Sequence, residues 1–188
     1  MPRIVFLICL LVGLSGFGLA QDESQTPYDI ALERILEAER TNATNLRLDE
    51  LQLTELPPEI GNLNNLQRLW LDSNQLSSLP PEIGNLTNLQ TLYLQENQLS
   101  SLPSEIGNLN NLCRLHLASN QLQHLPTEIE QLTRLSSKEN FRCSLNIGNN
   151  PLISPSPEVI ALSTPTLDDY YDNPGWWYFR FLFDRGVA

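Results

Sequence analysis

One pattern of side chains returns every 23 residues in this chain: Leu69, Leu92 and Leu115 each head a Leu-x-Leu-x-x-Asn-x-Leu-x-x-Leu-Pro-x-x-Ile string. Asn74, Asn97 and Asn120 keep the same step, as do Leu79-Pro80, Leu102-Pro103 and Leu125-Pro126. A fixed period of this length constrains the fold more than composition does. Each copy is one supersecondary unit too small to bury its own apolar face, so copies must stack into a solenoid with a core continuous between neighbours.

The residues of one unit can be read in turn. In Leu69-Trp70-Leu71 the leucines alternate with another residue, which predicts a short strand with both leucines inward and the middle side chain outward. Strands of successive units then pair in parallel. The Asn five places after the first leucine sits where the chain leaves the sheet, and its amide can both donate to and accept from backbone groups that water cannot reach. The Leu-Pro step and the later Ile60, Ile83, Ile106 and Ile129 bury the return leg, where Pro stops a long helix from forming.

On these residues the chain resembles leucine-rich repeat proteins of the 23-residue Leu-Pro subclass, similar to Ras-group and bacterial repeats. The resemblance covers residues 41–162 as five units. It implies an α/β leucine-rich repeat solenoid, with a curved parallel sheet on the concave face and a short helical or irregular convex side. The first unit has Leu46, Leu48, Leu53, Leu56-Pro57 and Ile60 in place but carries Leu51 where the ladder Asn is due. In the fifth unit the strand leucine due at 138 is Lys138, and the pattern resumes at Leu145-Asn146-Ile147 with Asn150. Seven residues, about 138–144, have been inserted, either as a surface loop, which closure entropy tolerates, or through a mis-joined coding segment.

The flanking segments complete the domain organisation. Residues 1–20 read as a secretory signal peptide: Arg3, an apolar run from Ile4 to Phe17, then Gly18-Leu19-Ala20. Retained, the same segment is a membrane anchor. In the linker and capping segment, residues 21–40, Thr26-Pro27-Tyr28-Asp29 has the form of a helix start, and Ile30, Leu32, Ile35 and Leu36 share one face. This helix is expected to cap the open end of the first unit, which would otherwise expose leucines and unpaired strand edges. Residues 163–188 end in Trp176-Trp177-Tyr178-Phe179-Arg180-Phe181-Leu182-Phe183, either a cap on the last unit or a tail that contacts a membrane surface or a partner.

Charge narrows the function classes. The net charge is −11, and removing the leader takes one of the basic residues with it, so nucleic acid is not an expected partner. Part of the acid excess is a convex column, Glu59, Glu82, Glu105, Glu128 and Glu158, read as a solvated outer face.

What the solenoid presents is decided by the outward positions of its strands. These form the column Arg47, Trp70, Tyr93, His116 and Asn146, flanked by Arg68 and Arg114 on one side and by Asp49, Asp72, Gln95 and Glu96 on the other. Aromatics flanked by arginine are what recognition surfaces favour, and the repeat needs neither Trp70 nor Tyr93. Catalysis has little to stand on: Cys113 and His116 are the nearest pair to a nucleophile and base, with no orienting carboxylate and no oxyanion loop. No usual metal-ligand spacing links Cys113, His116 and Cys143, and no cofactor motif is present.

Cys113 and Cys143 each lie two residues before a strand leucine, so if the insertion loops out earlier they occupy equivalent places on adjacent strands. Parallel neighbours lie about 4.8 Å apart, within disulfide reach. The pair is then either a disulfide of an oxidising compartment or two free thiols. Asn42-Ala43-Thr44 and Asn85-Leu86-Thr87 fit the glycosylation acceptor pattern, which matters only in a eukaryotic secretory pathway.

The expectation is a non-catalytic, secreted or periplasmic module that binds a protein, or less readily a glycan, on its concave face. Arg47, Arg68, Trp70, Asp72, Tyr93, Gln95, Glu96, Arg114 and His116 are the expected contact residues. The resemblance also implies two alternatives: an intracellular or membrane-anchored signalling scaffold engaging small GTPases, and an extracellular inhibitor of a hydrolase.

Overall fold

A computed structural model describes residues 25–135 and 143–152. The leader, Glu158 and the aromatic segment lie outside the described residues. Helix α1, Pro27–Arg40, is followed by five three-residue strands: β1 Asn45–Arg47, β2 Arg68–Trp70, β3 Thr91–Tyr93, β4 Arg114–His116 and β5 Ser144–Asn146. All five form one parallel sheet in chain order. Leu46, Leu69, Leu92, Leu115 and Leu145 stand in register across it. Each return leg is a single 3₁₀ turn, at Pro58–Asn62, Pro81–Asn85, Ser104–Asn108 and Thr127–Gln131. The proline ahead of each turn holds an extended or near-extended backbone, so the helix cannot lengthen backwards through it.

The core is the leucine set that the period marks. Leu69, Leu71, Leu76, Leu92, Leu94, Leu99, Leu115, Leu117 and Leu122 are sealed from solvent. Each such side chain contributes roughly 1.5–3 kcal/mol by leaving water. Pairing continues past the strand ends, with Ser73 N–H on Gln95 O (3.1 Å), Glu96 N–H on Ala118 O (3.0 Å) and Ser119 N–H on Gly148 O (2.9 Å). At this point the chain must turn out of the sheet. Glu50, Ser73, Glu96, Ser119 and Asn149 all take a left-handed backbone there, with φ between 54° and 57°. Only Asn149 is a residue type that favours that region, so the surrounding hydrogen bonds must hold the others in place.

An asparagine ladder fixes the chain on either side of that turn. Asn97 Oδ1 accepts from Leu76 N–H (3.0 Å), and its Nδ2 donates to Leu71 O (2.9 Å) and Leu94 O (3.2 Å). Asn120 and Asn150 repeat the arrangement one and two units on. Asn74 closes the ladder at the first unit, accepting from both Leu51 N–H (3.1 Å) and Leu53 N–H (2.9 Å). Leu51 can therefore replace Asn: its unit has no earlier turn to bond, and the side chain packs against the core instead.

Helix α1 covers that first unit. Thr26 and Asp29 form a reciprocal capping box, and the helix packs on β1 and the first 3₁₀ turn. Arg34 donates from Nη1 to the carbonyl of Arg47 (3.0 Å), satisfying a group on the edge strand. The buried stripe is Ala31, Ile35 and Ala38, whereas Leu36 is 42% exposed, so the helix is rotated away from the face expected from Ile30, Leu32, Ile35 and Leu36. The alanines let the helix backbone approach closely, which a stripe of leucines would prevent.

The convex side is tighter than a solvated face. Glu59, Glu82, Glu105 and Glu128 are only half-exposed. A Cβ on Gly84 would lie 2.6 Å from Glu105 O, and one on Gly107 would lie 2.7 Å from Glu128 O. Glycine sits there because adjacent 3₁₀ turns touch backbone to backbone. The same position in the next unit holds Glu130.

The disulfide and the register correct the insertion boundary. Cys113 and Cys143 are bridged, with Cα atoms 4.5 Å apart, and Ser144 N–H donates to Cys113 O (2.8 Å). Cys143 thus already holds the position equivalent to Cys113, and Ser144 belongs to β5. The seven surplus residues are 136–142, not 138–144, and they lie outside the described residues.

Candidate partner-binding site

The sheet brings the outward column together as a continuous row. Trp70 and Tyr93 stack at 5.8 Å between ring centroids with 16° between planes, and Tyr93 meets His116 at 4.9 Å and 55°. Arg47 lies over the outer face of Trp70, its guanidinium carbon 5.6 Å from the ring centroid. The three rings are half-buried. Parallel in-register pairing is the cause: side chains at equivalent places on neighbouring strands stand one strand spacing apart.

Arg47 is already engaged. Its Nε and Nη2 donate to Asp49 Oδ1 (3.0 Å) and Oδ2 (2.7 Å), a bidentate pair on one face of the first unit. That pairing holds the Asp49 carboxyl below its ordinary range, chiefly through the hydrogen bond from Arg47. The next residues in the Asp49 column, Asp72 and Gln95, have no such partner. Asp72 Oδ1 and Gln95 Oε1 are shut off from solvent without a hydrogen-bond donor. Burial pushes the Asp72 carboxyl up, and a hydrogen bond from its own backbone N–H and the charge of Arg47 offset this only in part. Glu96 stands exposed beside them, its Oε2 accepting from Ser73 Oγ (3.0 Å).

The opposite flank is less basic than the sequence suggests. Arg68 is exposed and Arg114 half-buried, but Thr91 and Ser144 in the same column are buried. The structure thus gathers Arg47, Trp70, Tyr93, His116, Asp72, Gln95 and Glu96 on one surface, with Arg68 and Arg114 along its far side. Sequence reasoning did not register the left-handed residues or the orphaned acceptors. The first were legible as one more position in the 23-residue step; the second depend on which neighbours cover each oxygen.

Residues 66–147 match the family model described as a leucine-rich repeat region. The chain is a leucine-rich repeat protein. No curated protein is significantly similar to it. Among solved structures, a leucine-rich repeat protein of Leptospira interrogans is 45% identical, covering 67% of this chain and 31% of its own, with a TM-score of 0.59. YopM from Yersinia enterocolitica is 25% identical over 75% of this chain and 27% of its own, with a TM-score of 0.52. The leucine-rich repeat domain of a Shigella effector is 27% identical over 78% of this chain and 55% of its own, also at 0.52. This leucine-rich repeat protein therefore spans about a third, a quarter and half of their respective lengths. Leucine-rich repeats are in general a non-catalytic fold for protein interaction.

Proposed function

We propose that this leucine-rich repeat protein is an exported, non-catalytic recognition module that binds a protein partner on its concave face. The observation that carries the reading is the row Trp70, Tyr93 and His116, three rings in contact on positions that the core does not use. Large rings lose little conformational entropy when they bind and are enriched among the residues that dominate interface energy. Export is supported by the leader pattern at residues 1–20 and by the Cys113–Cys143 bridge, since disulfides persist in oxidising compartments. The bacterial relatives, one of them an effector, agree with a role outside the producing cytoplasm.

The test is affinity capture from candidate host or envelope extracts with the intact protein, its Trp70→Ala/Tyr93→Ala double variant and a convex-side variant, Asn108→Ala. All three should keep the wild-type circular dichroism melt. Proteins held by the wild type and by Asn108→Ala but lost from the double variant support the concave face. Proteins held equally by all three, or lost only with Asn108→Ala, refute it.

A further inference from the structure

The first unit displays, within the chain, how this surface holds a cation. Arg47 lies over Trp70 and its guanidinium is gripped by Asp49. One and two units on, the acceptor column continues as Asp72 and Gln95, but the place of Arg47 is taken by Trp70 and Tyr93. The acceptors persist and the resident guanidinium does not. Asp72 Oδ1 and Gln95 Oε1 accordingly lack donors. Those two oxygens are sealed from solvent, but both side chains are half-exposed, and among the described residues the Asp72 carboxylate has no cation bonded to it, so its reachable side can take an incoming guanidinium. Glu96, adjoining them, adds an exposed carboxylate, while the far flank carries Arg68.

We infer that the concave face receives a basic peptide segment of the partner, an arginine or lysine head lying against Asp72 and Gln95 with its stem across Trp70 and Tyr93. Arginine suits the place best, because its planar fork offers several donors at once and stacks on aromatic faces. Burial raises the Asp72 carboxyl despite the nearby charge of Arg47, whose guanidinium is bonded to Asp49 instead. The exposed Arg68 orients the segment across the groove, since its basic residues must face the Asp72 side and its acceptor groups the Arg68 side. The inference rests on the concave face being the binding face.

The experiment is selection of a random dodecapeptide phage library on the intact protein. Selected peptides are then measured against the wild type, Trp70→Ala/Tyr93→Ala, Asp72→Asn and Glu105→Gln. The last two remove one charge each, from the concave and convex sides. The expected result is peptides rich in arginine or lysine that weaken about tenfold with Asp72→Asn, the size of one lost charge-assisted bond, and are unchanged with Glu105→Gln. Equal weakening by both variants means general attraction to an acidic protein and overturns the inference. Peptides lost on Trp70→Ala/Tyr93→Ala but poor in basic residues overturn it while leaving the concave face in place. Peptides indifferent to that double variant overturn both, and a library that yields no enrichment counts against the inference.

Discussion

Replacing Asn97 by alanine isolates the contribution of one rung of the ladder. The side chain accepts from Leu76 N–H at 3.0 Å and donates to Leu71 O and Leu94 O at 2.9 and 3.2 Å. The two carbonyls are not left bare, because Leu71 O also accepts from Asn74 Nδ2 (3.0 Å) and Leu94 O from Asn120 Nδ2 (2.9 Å). The N–H of Leu76, in contrast, loses the acceptor the ladder gives it. One orphaned buried donor costs roughly 1–3 kcal/mol, and two bonds to carbonyls that keep a second partner cost roughly 0.5–1.5 kcal/mol each. A loss of about 2–6 kcal/mol is expected in urea unfolding followed by circular dichroism. Hydrogen exchange should accelerate first at the amide of Leu76. Asn74→Ala should cost at least as much, because it strips Leu51 N–H and Leu53 N–H together and removes a donor from Leu48 O. A loss under about 1 kcal/mol for Asn97→Ala, or unchanged exchange at Leu76, would show that the ladder is not what holds the turn.

Gly84→Ala should destabilise by about 1–3 kcal/mol, since its Cβ meets backbone that cannot swing aside; a neutral effect in the same urea experiment would mean that adjacent 3₁₀ turns are not in contact. Cys113→Ser, or reduction of the intact protein, releases a closure of 30 residues, worth about 3–4 kcal/mol in the chain-entropy account. Exchange should then rise in β5 ahead of β2 and β3, and uniform protection would refute the link. Two carboxylates should respond to pH with opposite sign. The Asp49 carboxyl is lowered by Arg47, so Asp49→Asn should melt below the wild type at neutral pH, with the gap closing as pH falls through the depressed value. The Asp72 carboxyl is raised by burial, so its charge opposes folding at neutral pH; Asp72→Asn should melt above the wild type there and equal to it once both states are protonated. Gaps of the same sign would show that one of the two environments is misassigned.

Much of the fold was legible because the repeat imposes the same geometric demand at each step. Leu92 must face inward if Leu69 does, and an Asn at the exit of each strand answers a buried backbone group whichever unit it belongs to. The rotation of α1 was not legible, since Ala31 and Ala38 carry little hydropathy signal although they decide how closely the helix can approach. The glutamate column looked solvated because charge was read without the glycines, and the contact runs from Gly84 to the backbone beside Glu105, one unit away.

For the site, the sequence by itself determined which residues share the concave face: period and alternation place Arg47, Trp70, Tyr93 and His116 in one column before any coordinate is known. Tertiary structure decided what that column is. Only strand spacing brings the Trp70 and Tyr93 rings into a stack, and only the neighbouring side chains determine that Asp49 holds a guanidinium while Asp72 and Gln95 keep acceptors unpaired. Periodicity is a property of the chain alone, whereas solvation and pairing belong to the space between units, and that space exists only once the units have stacked.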